Sequence, residues 1–253
     1  DALPILLSGI KVVANDIRVP AGGTLVVSGP NAGGKTVALK CAGLCALMAR
    51  SGLHCPVQEG SSMPLFDRVL TDVGDEQSLE RSLSTFSAHI LNLCEFLSKA
   101  QPGTLVLLDE VAAGTDPEQG SALAQALLEA FARAGATVVV TTHYDRLKSL
   151  ATRDPRFVNA SVGYDLDKLV PTYRLHLGVP GASGAVLVAR RLGLPDAVAN
   201  RANDLIGVSK SGVEELLQTL SREREALLNR AAQAEALRAQ AERDLAAAAE
   251  LRA

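Results

Sequence analysis

A chain of 253 residues, 47% hydrophobic and 21% charged, can bury a large core and fits one domain of about 200 residues plus an appendage. Its formal net charge of −3 gives no global basic field of the kind that announces nucleic acid, though a local patch would survive that average. Asp1-Ala2-Leu3-Pro4 carries no secretory pattern and no stretch of about 18 uninterrupted apolar residues reads as a membrane span, so a cytoplasmic protein is expected.

The first element is an apolar run, Thr24-Leu25-Val26-Val27-Ser28, which reads as a buried strand. Gly29-Pro30-Asn31-Ala32-Gly33-Gly34-Lys35-Thr36 follows, a full G-x-x-x-x-G-K-[ST] phosphate loop, and Val37 to Ala42 continue as a helix. Glycines let such a backbone wrap phosphates, and the amide hydrogens and helix dipole favour negative charge. Lys35 is placed to reach the β and γ oxygens, and the Thr36 hydroxyl suits Mg²⁺. The pattern predicts nucleotide binding. Cys41, Cys45, Cys55 and Cys94 form no C-x-x-C pair and have no histidine at ligand spacing, so they are expected to be small buried apolar residues rather than metal ligands.

Asp75 to Phe86 is rich in small polar groups ahead of a helix running through Ile90, Leu93 and Leu97, so Ser84 or Thr85 is expected to cap that helix. Leu105-Val106-Leu107-Leu108 is a strand ending in two carboxylates, Asp109 and Glu110. A Mg²⁺-nucleotide site needs this at the carboxyl end of a parallel strand, with Asp109 on the cation and Glu110 free to orient the attacking water. Ala113-Gly114-Thr115-Asp116-Pro117 is a turn leading into a helix. Ala136 to Thr142 forms another β-branched strand, delivering His143 to the same edge as a γ-phosphate sensor. Parallel strands at 24–28, 104–108 and 136–142 predict an α/β core over residues 1–207.

Composition changes near residue 208. Gly and Pro vanish after Gly212, and Ala, Leu, Glu and Arg dominate to the end. Val213, Leu220, Leu227, Ala234, Ala241 and Ala248 repeat every seven residues, while the companion seam of Leu217, Arg224, Ala231, Arg238 and Leu245 is only partly apolar. A long helix is expected over 208–253, either a coiled-coil segment leaning on a partner or a frayed helical linker.

Taken together, GPNAGGKT (29–36), STF (84–86), LLDE (107–110), GTD (114–116), TTHY (141–144) and Pro180-Gly181-Ala182-Ser183-Gly184 resemble the ATPase domain of the MutS family, itself related to ABC-type ATPases. KTVALK, DVGDEQSLERSLSTFS (72–87) and PTYRLHLGVPGASGA (171–185) are similar to the type-2 branch. The resemblance implies a P-loop NTPase with a mixed, mostly parallel sheet flanked by helices, and a dimerisation segment at about 171–207. It implies ATP and Mg²⁺ as cofactors, with Gly29 to Thr36 on the phosphates, Thr36 and Asp109 on Mg²⁺, and Lys35, Glu110 and His143 as the catalytic set. It further implies a homodimer in which Ser84, Thr115 and Asp116 act in trans. Val12, Asn15 or Ile17 would line the base and ribose pocket, and His176 would contact the adenine. Full-length members resemble a DNA clamp with a C-terminal nuclease domain, so branched- or mismatched-DNA binding, suppression of recombination and rescue of collided ribosomes are expectations for a longer parent protein. Two other readings compete: a nucleotide-holding conformational clamp with negligible turnover, and an SMC-type repair ATPase, against which the missing L-S-G-G-Q-like signature argues.

Overall fold

The computed structural model describes residues 13–30, 33–73, 82–165, 168, 170–181, 184–206, 234 and 238. Six strands form one sheet: β1 (Thr24–Ser28), β2 (Arg68–Asp72), β3 (Thr104–Leu108), β4 (Thr137–Thr142), β5 (Phe157–Asp165) and β6 (Val170–Leu177), in the spatial order β2-β3-β4-β1-β5-β6. All neighbours run parallel except β5 and β6. The helices are α1 (Lys35–Arg50), α2 (Ser82–Lys99), α3 (Pro117–Arg133), α4 (Asp145–Lys148), α5 (Ala185–Arg191) and α6 (Asp196–Ile206).

The central strands are apolar without interruption because both sheet faces are covered, as parallel sheets require. β1 and β3 are buried at every position. Successive side chains serve opposite cores. Val26, Val106, Leu108, Val138 and Val140 pack with Leu93 of α2 and with Leu128 and Phe131 of α3, whereas Leu25, Val27, Leu105, Leu107 and Val139 pack with Leu39 and Ala46 of α1. Phe131 and Leu128 are fully buried, so truncating either to Ala would cost about 2–5 kcal/mol. This arrangement brings the carboxyl ends of β1, β3 and β4 to one edge.

The sequence reading missed β2, β5 and β6. β6 is a half-exposed edge strand carrying Pro171, a residue that demotes a run from strand, and its pairing with β5 shifts register between Val162 and Tyr164. The amide of Asn15 acts as a surrogate strand partner for β6: its Oδ1 accepts from Leu175 N–H at 2.6 Å, and its Nδ2 donates to the Tyr173 carbonyl at 2.7 Å.

Two expectations need correction. α2 starts at Ser82, so Ser84 and Thr85 lie within its first turn instead of capping it. The cysteines are not buried: Cys41 and Cys45 of α1 are half-buried, as is Cys55 in the segment after it, and Cys94 of α2 is exposed. Asp116, by contrast, is an N-cap, accepting from the backbone N–H of Glu118 and Gln119 at 3.1 and 3.0 Å with Pro117 opening α3. The chain divides into units 1–200 and 201–253, the second starting within α6. The Ala-rich segment expected as a long helix lies outside the described residues except for Ala234 and Arg238, both helical.

Candidate functional site

The chain leaves β1 at Ser28 and turns sharply at Gly29, whose φ of 130° is open to glycine and strained for other residues. Gly34, at φ 95°, sits at the N-cap of α1, and a Cβ there would lie 2.7 Å from the Tyr173 ring. Ser28 pins the loop base: its hydroxyl donates to the Ala160 carbonyl at 3.2 Å and accepts from Gly181 N–H at 2.7 Å. α1 therefore points its amino end, free of acidic residues in the first turn, at the sheet edge.

Lys35 opens that helix and is 2% exposed. Its Nζ donates to the Gly29 carbonyl at 3.0 Å and lies 3.9 Å from Glu110 Oε1. Burial pulls the Lys35 amine below its ordinary pKa; the charges of Glu110 and Asp109 oppose that pull and Lys148 adds to it. Thr36, next along, is half-buried.

Asp109 and Glu110 stand where β3 ends. The turn they begin is strained: Glu110 has φ 48° and Ala112 φ 58°, left-handed conformations that cost about 1–3 kcal/mol each in residues with a Cβ. Two hydroxyls from the end of β4 hold it. Thr141 Oγ1, fully buried, accepts from Glu110 N–H at 2.9 Å and donates to the Asp109 carboxylate. Tyr144 Oη donates to the Ala112 carbonyl at 3.1 Å. Burial raises the Tyr144 pKa, and the charges of Glu110 and Asp116 raise it further, so the phenol keeps the proton it donates. His143 is exposed beside this turn, its ring centroid 4.4 Å from that of Tyr144.

The structure thus gathers Gly29, Lys35, Asp109 and Glu110 at one edge, with Thr36 and His143 on segments that end there. Asn15 clamps β6, and His176 pairs with Ser161 in the β5–β6 register. Thr115 and Asp116 lead into α3. Val12, Asn31 and Ala32, and the side chain of Ser84, lie outside the described residues. Sequence reasoning gave no role to Thr141 or Tyr173. Thr141 was legible only as a strand residue, one of the three threonines of β4. Tyr173 is 48% exposed, has φ 56°, and its ring lies against the glycine-rich loop at Gly34.

The donors here suit a phosphate-bound cation. Thr36 and Asp109 offer hard oxygen ligands, and among the described residues no group of three or more His, Cys, Asp or Glu could hold a metal by itself. Mg²⁺ commonly takes one or two protein oxygens and completes its shell with phosphate and water.

A mostly parallel sheet whose central strand feeds a glycine-rich loop and helix, with paired acids on a neighbouring strand, defines a phosphate-loop nucleotide-binding domain. The chain belongs to the MutS family: the family model for MutS domain V matches residues 25–208. Among curated relatives it is 53% identical over 232 residues to Endonuclease MutS2 of Pelotomaculum thermopropionicum, covering 90% of this chain and 29% of that protein. It is 46% identical over 220 residues to Endonuclease MutS2 of Listeria innocua (87% and 28%) and 48% identical over 221 residues to that of an Anaeromyxobacter species (87% and 28%). The chain therefore spans less than a third of the length of these relatives. No described helix is long and apolar enough to cross a membrane.

Proposed function

We propose that this domain hydrolyses ATP with Mg²⁺, and that two copies complete each other's sites. The observation that carries the proposal is the convergence on one edge of Lys35, 3.9 Å from Glu110, with Asp109 and Glu110 both fixed by the Thr141 hydroxyl. In this reading the loop amides and Lys35 bind the phosphates, and Tyr173 offers its ring to the base. Thr36 and Asp109 would hold Mg²⁺, which would supply neutralisation of phosphate charge when bound. Glu110, one-third exposed, orients water toward the γ-phosphate and accepts its proton, with His143 facing the same phosphate.

The helix amino terminus at Ser84 and the Thr115–Asp116 turn belong, by this proposal, to the partner's site. A single copy lacks part of the charge stabilisation and turns over slowly. In a longer parent protein, closing and opening of the dimer would move DNA-handling parts, in keeping with the name endonuclease carried by the relatives; suppression of recombination and rescue of collided ribosomes are roles this engine would power. Glu110→Gln tests the assignment. It should keep ATP affinity within about threefold while hydrolysis falls about 100-fold or more; unchanged turnover would remove Glu110 from the mechanism.

A further inference from the structure

The edge strand β2 ends at Asp72, whose carboxylate is turned inward. Only 13% of that side chain is exposed, and two residues of α2 hold it: His89 Nδ1 lies 2.7 Å from Oδ2, and Asn92 Nδ2 donates to Oδ1 at 3.5 Å. His89 and Asn92 are three residues apart and so share one helix face. The main chain of the same residue reaches the catalytic edge. Asp109 N–H donates to the Asp72 carbonyl at 3.0 Å, one bond past the final β2–β3 pair of Asp72 with Leu108. Asp109 is thus fixed from two directions, by Thr141 through its carboxylate and by Asp72 through its backbone. Core packing explains why α2 lies on this face of the sheet, where Leu93 is buried, but it does not require a polar clamp on the end of β2.

We propose that His89 is a positioning residue for the cation site: through Asp72 it sets the placement of Asp109 according to the position of α2. This rests on the reading of Asp109 as a Mg²⁺ ligand. Because the amino end of α2 carries Ser84, a partner that grips that end also adjusts the Mg²⁺ ligand on the same chain. Phosphate contacts made by the loop and Lys35 do not pass through this link, so its loss should affect cation use and spare nucleotide binding without cation.

The test compares wild type, His89→Ala and His89→Asn, the last keeping an amide nitrogen near the place of Nδ1. Affinity for a fluorescent ADP analogue is measured with and without Mg²⁺, alongside the Mg²⁺ concentration that gives half-maximal hydrolysis and the melting temperature. His89→Ala should need about tenfold more Mg²⁺ in both assays, bind the analogue within about twofold of wild type in EDTA, and be rescued by His89→Asn. If His89→Ala misfolds, Asn92→Ala must show the same Mg²⁺ shift in weaker form, or the proposal fails. An unchanged Mg²⁺ dependence, or equal loss of affinity with and without Mg²⁺, overturns the positioning role while leaving the ATPase reading intact. A wild-type chain whose nucleotide affinity and hydrolysis both ignore Mg²⁺ overturns both.

Discussion

Replacing Thr141 with Val removes one hydroxyl and keeps the shape of the side chain in a fully buried position of β4. Two bonds are lost. The bond donated to the Asp109 carboxylate is charge-assisted and worth about 1.5–3 kcal/mol, and the Glu110 N–H left without its acceptor adds about 1 kcal/mol or more. That N–H belongs to a residue at φ 48°, so the bond also offsets backbone strain, and relaxation of the turn would swing the Glu110 carboxylate away from its position. Stability should fall by about 2–4 kcal/mol, a melting shift on the order of 10 °C for a domain of this size. A displacement of about 1 Å in a water-orienting group costs on the order of 100-fold in rate. Thr141→Val should therefore hydrolyse ATP about 100-fold more slowly at a temperature where it is fully folded, with ATP affinity within about threefold, since it touches none of the loop contacts. Thr141→Ser, which keeps the hydroxyl, should retain most of the rate. Steady-state hydrolysis and nucleotide titration on folded protein check both variants. Turnover by Thr141→Val within about twofold of wild type would refute the claim that this hydroxyl orients the paired acids.

Lys35→Met should abolish nucleotide binding and yet make the nucleotide-free protein more stable at pH 7 in urea titrations. The Lys35 pKa is lowered on folding, so the buried ammonium costs stability below its folded pKa, and the cost fades as pH rises from there toward the ordinary lysine value of 10.5. The stability gap between variant and wild type should accordingly narrow in alkaline solution; a variant less stable than wild type at pH 7 would contradict the burial argument. Gly33→Ala places a Cβ 2.5 Å from Val162 Cγ2, an overpacking worth about 1–3 kcal/mol. Its melting temperature and nucleotide affinity should both drop, and Val162→Ala in the same chain should restore part of each; absence of any rescue would show that the loop's tight seat on β5 is not the reason.

The sequence revealed three neighbouring strands of the sheet and the residues at the edge where the glycine-rich loop and the Asp-Glu pair lie, because those features are local. β1, β3 and β4 each carry three or four consecutive aliphatic residues, and a phosphate loop or an Asp-Glu pair is defined by neighbours in the chain. Arrangements made across strands were not legible. Thr141 bonds to residues 31 and 32 positions earlier, Asn15 to residues about 160 positions later, and Asp72 joins β3 to α2 through contacts that no period or spacing encodes. β2 and β6 were missed because they are half-exposed edges whose hydrophobic pattern is weak. The start of α2 was placed three or four residues late, because Ser84 and Thr85, good capping residues by type, instead lie within its first turn.

The most direct measurement is the specific rate of ATP hydrolysis as a function of protein concentration, with Lys35→Ala as background and mass in solution recorded at each point. A Lys35-dependent rate per chain that climbs with concentration and levels off as the dimer fills would show an ATPase completed by a second copy. No rate above the Lys35→Ala background at any concentration would contradict the enzyme assignment and leave a nucleotide-holding clamp, while a rate already maximal in a chain shown by mass to be a monomer would remove the shared site.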